Sequence, residues 1–194
     1  MTDYGIILAA GGSRRMGQPK QLLELDGTTL VQRAIQTVRQ AGAHPLVVLG
    51  SKATEIAERL EADHVVNAEW QRGMGSSLAC GIAALPDEAE RALVLTVDQP
   101  DVDADLLGSL LDTCEAPTDA AATLYPDGVL GVPACFRASL FEALEGCSED
   151  TGARELLRSG EHRVAEIPAQ QRAVDIDTPD DWTTYLARRS GGAT

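Results

Sequence analysis

The sequence predicts an α/β fold: a single domain on a doubly wound, mostly parallel sheet with helices on both faces. Three observations carry this. Short apolar runs alternate with amphipathic helical stretches in a βαβαβ order between residues 6 and 66, the pattern of a parallel sheet covered on both sides. A chain of 194 residues suffices for one sizeable core. A glycine-rich loop follows the first strand directly, at the strand end where such sheets bind ligands.

The first strand is expected over 6–9, and the loop runs on as Leu8-Ala9-Ala10-Gly11-Gly12-Ser13-Arg14-Arg15-Met16-Gly17-Gln18-Pro19-Lys20. Gly11, Gly12 and Gly17 let the backbone approach a ligand, and successive exposed N–H groups in such a turn favour an anion. Arg14, Arg15 and Lys20 add full charges, so the natural guest is a polyphosphate. Gly12 and Gly17 have Walker A spacing, but Gln18-Pro19-Lys20 stands where Lys-Ser or Lys-Thr belongs, and Pro19 suits no helix interior. Gly11-Gly12-Ser13 also lacks the G-x-G-x-x-G dinucleotide fingerprint. The plain alternative is a glycine-rich turn with solvated arginines.

Sixteen Lys and Arg against thirty Asp and Glu give a net charge of −14, a field that repels nucleic acid and anionic membrane surfaces. A cationic loop on such a chain stands out. Cys80, Cys114, Cys135 and Cys147 form no C-x-x-C pair, and His44, His64 and His162 are isolated, so zinc has no ligand pattern. With no charged leader and no long apolar run, the expectation is a soluble cytoplasmic protein that neither crosses nor enters a membrane.

After the Asp26-Gly27 turn, Leu30, Val31, Ala34, Ile35 and Val38 predict a helix over 29–41, capped by Thr28 or Thr29 and ended by Gly42. A buried strand over 45–49, a helix opening at Thr54 and a strand at Val65-Val66 follow. The polar loop 69–77 holds Gly73 and Gly75 and ends in Ser76 and Ser77, expected to cap a helix carrying Leu78, Ile82 and Leu85; its N-terminus suits a ribose, a base edge or a phosphate. A capped helix with Trp70 packed beneath the loop explains the same residues without a ligand. The most apolar strand, 91–97, ends in Asp98-Gln99-Pro100. As the fourth strand it belongs beside the first, so Asp98 should face the 11–20 loop; a carboxylate facing a polyphosphate needs a divalent cation between them. Asp98 as a turn aspartate is the simpler alternative.

Asp103 is expected to cap a helix with Leu106, Leu107, Leu110 and Leu111. A hairpin over 120–124 and 129–133, a helix over 138–144 and a helix capped by Asp150 or Thr151 come next. Strands at 164–167 and 173–177 complete the reading. Alternation in Asp175-Ile176-Asp177 puts both carboxylates on one face, and a metal would relieve their repulsion. Thr178-Pro179-Asp180-Asp181 then opens a helix. One domain over 1–189 and a frayed tail over 190–194 are expected.

Taken together, Leu8 to Gly17, Pro19-Lys20, Asp98-Gln99-Pro100, Gly152-Ala153-Arg154 and Asp175-Ile176-Asp177-Thr178-Pro179 resemble the MobA-like nucleotidyltransferases over nearly the whole chain. Within them the chain is most similar to the molybdenum cofactor cytidylyltransferases, which show Leu-Ala-Ala-Gly and Asp-Gln-Pro where the guanylyl branch tends to Leu-Ala-Gly-Gly and another residue at the Gln99 position. The resemblance implies a Rossmann-like nucleotidyltransferase fold, Mg²⁺, and transfer of CMP from CTP to the terminal phosphate of molybdopterin cofactor, with a molybdoenzyme as a transient client. By motif, Lys20, Arg15 and Asp98 are the implied catalytic residues. Residues 8–15 and Lys20 with Gly73, Gly75, Ser76 and Ser77 are the implied nucleotide site, and Asp98 with Asp175 or Asp177 the implied metal ligands. Glu149 departs from the glycine usual before Asp150. The rivals are a same-fold transferase using GTP or another phosphorylated or alcohol acceptor, and a non-catalytic carrier of the pterin cofactor.

Overall fold

The computed structural model describes residues 2–147, 152–169 and 174–191. Strand β1 (Asp3–Ala9) is buried from Gly5 onward and feeds the glycine-rich loop, which closes in a single 3-10 turn at Lys20–Leu22. β2 (Glu24–Leu25) and β3 (Thr28–Thr29) pair around Asp26 and Gly27, both at positive φ, the backbone that an Asp-Gly turn supplies. Helix α1 (Leu30–Gln40) starts at Thr29, whose side chain accepts from Gln32 N, and buries Leu30, Val31, Ile35 and Val38. Then come β4 (His44–Leu49), α2 (Ala53–Ala57), β5 (Asp63–Val66), α3 (Met74–Ala83) and β6 (Arg91–Thr96), the last buried throughout. Helix α4 (Ala104–Thr113) is capped by Asp103, as its sequence predicts. The second half adds β7 (Ala120–Leu124), β8 (Leu130–Arg137), α5 (Phe141–Glu145), α6 (Gly152–Arg158), β9 (Val164–Pro168) and α7 (Pro179–Gly191).

The main sheet has the order β5-β4-β1-β6-β8-β7-β9. β5, β4, β1 and β6 run parallel, β8 runs antiparallel to β6 and β7, and β9 is parallel to β7. The chain winds outward from β1 through β4 to β5, then returns to lay β6 on the other side of β1. The reversal falls between β1 and β6, so the loops after these two strands diverge around a crevice. Helices α1, α2 and α4 cover one face through Val31, Ile35, Ile56 and Leu107, and α3, α5 and α6 cover the other through Leu78, Ile82, Leu144 and Leu157. The doubly wound α/β architecture is therefore as the sequence predicts. Among the described residues no helix is long and apolar enough to cross a membrane.

Four local expectations differ. The strand expected over 173–177 is absent from its described part: Val174 to Asp177 is irregular, and among the described residues its one backbone–backbone bond, Ile176 N to Asp98 O at 2.8 Å, falls just past the end of β6. The reason is topological, since β6 already pairs with β1 on one side and β8 on the other. β8 runs on to Arg137 through Pro133, which was expected to end it; the register shifts at Ala122/Thr123, and Thr123 Oγ1 donates to Pro133 O at 2.6 Å. The helix expected over 138–144 opens as a 3-10 turn, Ala138–Leu140, before α5. Helix α3 begins at Met74, one turn earlier than its serines suggested. Glu149, Asp150, Thr151 and Ala173 lie outside the described residues; Ser190 and Gly191 belong to α7.

Candidate active site

The loop after β1 is held from below. Gln21 is buried, and its Nε2 donates to Ala9 O at 2.7 Å and Gly11 O at 2.9 Å, so one side-chain amide satisfies two carbonyls of the glycine-rich turn. Ser13, at φ +48°, accepts from Met16 N and Gly17 N through its carbonyl and from Lys20 N through Oγ, which folds 13–20 into a compact ring. Trp70 packs against the loop: a Cβ on Gly12 would stand 3.1 Å from Trp70 Cη2, and one on Gly50 would stand 2.6 Å from Trp70 Cβ and 2.8 Å from Ala10 O. Those two glycines are there for close approach, a need their sequence context did not reveal.

Lys20 then reaches across the crevice. Its ammonium donates to Asp98 Oδ2 at 2.8 Å, to Asp177 Oδ1 at 2.9 Å and to Ile176 O at 3.2 Å. Arg15 donates to the other oxygen of Asp177 at 2.8 Å. Burial opposes the charge on Lys20, but the paired aspartates outweigh it and its pKa is raised; Asp177 is held below the usual carboxylate range by the Lys20 hydrogen bond, with Arg15 adding to it. Asp177 arrives from 157 residues away because Ile176 is fully buried with Met16, Leu23, Leu25, Leu30 and Tyr185. The Tyr185 hydroxyl and Arg188 of α7 both bond Asp101, just past Pro100. Thr178 and Asp181 bond each other's backbone N–H reciprocally at the start of α7, a capping box that fixes the turn after Asp177.

At the start of α3, Gly73 occupies the cap at φ +113°. Ser76 and Ser77 therefore lie inside the first turn, not at the cap, and Asn67 Nδ2 donates to both hydroxyls at 3.0 and 3.1 Å. Ser76 Oγ in turn donates to Gly73 O at 2.9 Å. These hydroxyls fix the helix start, and what the turn offers a ligand is its backbone N–H groups.

Asp175 does not join Lys20. Its Oδ1 accepts from Gln99 Nε2 at 2.9 Å, and the same nitrogen donates to Tyr125 Oη at 2.8 Å, whose hydroxyl donates to Val132 O. Burial, with the Asp98 and Asp177 carboxylates adding to it, raises the pKa of Asp175 despite the Gln99 bond. Burial pushes Tyr125 up to about 12. This network walls a cavity of about 470 Å³ that opens onto Asp98 and is lined further by Asp127 and Arg154. The sequence did not single out Tyr125, Gln21 or Asn67; Trp70, expected to pack beneath the 69–77 loop, packs against Gly12 and Gly50. A buried amide in the otherwise apolar run after Lys20 was the one available signal for Gln21.

Two carboxylate oxygens, from Asp98 and Asp177, converge within 2.8 and 2.9 Å of one cationic point, the Lys20 nitrogen. A hard divalent cation such as Mg²⁺ or Mn²⁺ uses one or two carboxylates and completes its shell with water and substrate oxygens, so this donor set fits it. Among the described residues no group of three or more His, Cys, Asp or Glu converges as a metal cage, so a closed all-protein site is not what these side chains offer.

The chain compares with known proteins along nearly its full length. It is 36% identical over 195 residues to the nicotine blue oxidoreductase of Paenarthrobacter nicotinovorans, covering 94% of this chain and 95% of that protein. With the molybdenum cofactor guanylyltransferase of Xanthomonas euvesicatoria it shares 36% identity over 191 residues, covering 94% and 93%; the cytidylyltransferase of Escherichia coli is 27% identical, covering 94% and 95%. Overall identity thus does not favour the cytidylyl branch that the Leu-Ala-Ala-Gly and Asp-Gln-Pro signatures suggested. Among solved structures, Rv0371c of Mycobacterium tuberculosis superimposes with a TM-score of 0.85 at 31% identity over 96% of this chain and 98% of that one. Its manganese complex gives 0.81 at 30% identity over 96% and 99%. The family model that matches residues 5–165 is the MobA-like NTP transferase domain, and with the β1 loop, Lys20 and Asp98 assembled as described, the chain belongs to that family.

Proposed function

We propose that this protein transfers CMP from CTP to the terminal phosphate of molybdopterin cofactor and releases pyrophosphate. The observation that carries this reading is the Lys20 ammonium set between Asp98 and Asp177 at the mouth of the glycine-rich loop. A cation held by two acids over an anion-binding turn is the resting form of a polyphosphate clamp, and a carrier of the pterin alone has no use for one.

In the reaction, an oxygen of the acceptor phosphate attacks the α-phosphorus, the bond from that phosphorus to the bridging oxygen breaks, and pyrophosphate leaves with the electron pair. The nucleophile is already anionic, so no base is required. The loop N–H groups and Arg15 hold the β- and γ-phosphates. Lys20, with all three ammonium hydrogens committed to Asp98, Asp177 and Ile176 O, exchanges a carboxylate partner for the α-phosphate and the leaving oxygen, where charge grows. Asp98 and Asp177 would hold Mg²⁺, which supplies charge neutralisation between the acids and the phosphates when bound. The N-terminal turn of α3 seats the base and ribose through its backbone.

Choice of CTP rests on the Leu8-Ala9-Ala10-Gly11 and Asp98-Gln99-Pro100 signatures. GTP is the second reading, favoured by the higher identity to the Xanthomonas guanylyltransferase. The oxidoreductase name of the Paenarthrobacter relative suggests hydride chemistry, which the missing dinucleotide fingerprint disfavours. Pyrophosphate release with CTP, GTP, ATP and UTP, with and without the cofactor, separates these. Release only with CTP and cofactor supports the proposal, and release with GTP moves it to the guanylyl branch. No release from folded protein, or oxidation of a nicotinamide cofactor instead, overturns it.

A further inference from the structure

Gln99 belongs to the Asp-Gln-Pro signature taken above as a mark of base choice, yet its side chain makes no bond toward the base-binding elements. Both bonds of its Nε2 go the other way, to Tyr125 on the β7–β8 hairpin and to Asp175 after β9. Gln99 is 9% exposed, and its Oε1 is buried with no partner. One amide thus ties three segments, the end of β6, the hairpin and the 174–177 stretch, into the wall of the cavity of about 470 Å³ beside Asp98.

That cavity has a definite chemistry. Arg154, on its rim, makes no hydrogen bond or ion pair among the described residues, so its guanidinium is ready for an anionic group such as a phosphate. The lining also carries acceptors, the carboxylates of Asp98, Asp127 and Asp175. A guest that suits it combines a phosphomonoester with a ring system bearing several N–H donors. Tyr125, with its pKa pushed up to about 12, keeps its proton and holds the wall as a neutral strut.

Resting on the nucleotidyl-transfer reading, we infer that Gln99 is a positioning residue for the acceptor and not a selector of the nucleobase. Through Tyr125 and Asp175 it sets the wall that receives a phosphomonoester of an N–H-rich heterocycle.

Equilibrium binding separates this inference from the reading beneath it. Molybdopterin cofactor, followed by its own fluorescence, is titrated into wild type, Gln99→Ala, Tyr125→Phe and the double variant; CTP and GTP with Mg²⁺ are titrated separately. The expected result is cofactor binding weakened about tenfold in each single variant, since each breaks the Gln99–Tyr125 hydrogen bond that holds the wall. The double variant should lose less than the sum, because the two residues share that bond. CTP and GTP affinities and their ratio should stay at wild-type values. Tyr125→Phe carries the test if Gln99→Ala does not fold. Unchanged cofactor affinity, or a shift in the CTP-to-GTP ratio, overturns the inference. Weakened cofactor binding in a protein that releases no pyrophosphate would uphold it while removing the transfer reading.

Discussion

Replacing Lys20 by methionine separates its structural from its chemical role. The ammonium makes two charge-assisted bonds, at 2.8 and 2.9 Å, and a longer one to Ile176 O at 3.2 Å. Bonds to charged groups contribute about 1.5–3 kcal/mol each when well buried. Lys20 is 13% exposed, but Asp98 and Asp177 are 22% and 37% exposed, so the stranded carboxylates stay hydrated and screening trims the loss to about 2 kcal/mol in all. Against this, a fixed donor to developing charge is worth about 3–4 kcal/mol in the transition state, a fall of roughly a hundredfold to a thousandfold in turnover. The chemical loss is the larger, so Lys20→Met should remain folded by circular dichroism and be nearly inactive in pyrophosphate release. It should also bind Mn²⁺ more tightly than wild type without nucleotide, measured by electron paramagnetic resonance, because the ammonium no longer competes for the same two oxygens. Near-normal turnover in the folded variant would refute the assignment.

Other substitutions test the surroundings. Gln21→Leu leaves the Ala9 and Gly11 carbonyls unsatisfied, so it should cost about 1–3 kcal/mol in denaturant unfolding and raise the KM for the nucleotide more than that for the acceptor. Gly50→Ala drives a methyl to 2.8 Å from the backbone oxygen of Ala10, and should weaken nucleotide binding in calorimetry by displacing the loop. The pKa of Asp175 is raised above 3.8 by burial and its neighbouring carboxylates, so the folded state holds that proton more tightly than the unfolded one. Its ionised form therefore costs stability at neutral pH, a cost that vanishes as the pH falls through the raised value. Asp175→Asn should accordingly raise the thermal midpoint at pH 7, with the gain shrinking toward acid. A lower midpoint at pH 7 would contradict the burial argument.

The sheet and its switch point were legible because they rest on local signals: apolar runs of strand length, the 3.6-residue repeat of α1, and glycines between them. Asp98 was legible because an acid at the end of the most apolar strand has only one place to be in a doubly wound sheet. The 173–177 stretch misled because alternation reports facing, not pairing, and nothing local says that both edges of β6 are taken. Pro133 misled in the same way, since only the register shift in β7 shows how a proline sits inside β8. Which acid meets Lys20 depends on Ile176 docking among Met16, Leu30 and Tyr185, contacts between chain ends that no spacing announces. Gln21, Trp70 and Tyr125 act through partners distant in sequence or through backbone atoms. Their roles appear only once the chain is folded.

The most direct test follows the label. With folded protein, Mg²⁺ and molybdopterin cofactor, CTP carrying phosphorus-32 at the α position should pass its label to the pterin product, while label at the γ position should appear in pyrophosphate. Label from the γ position in orthophosphate or on the acceptor, with none transferred from the α position, would contradict nucleotidyl transfer at the Lys20–Asp98 site.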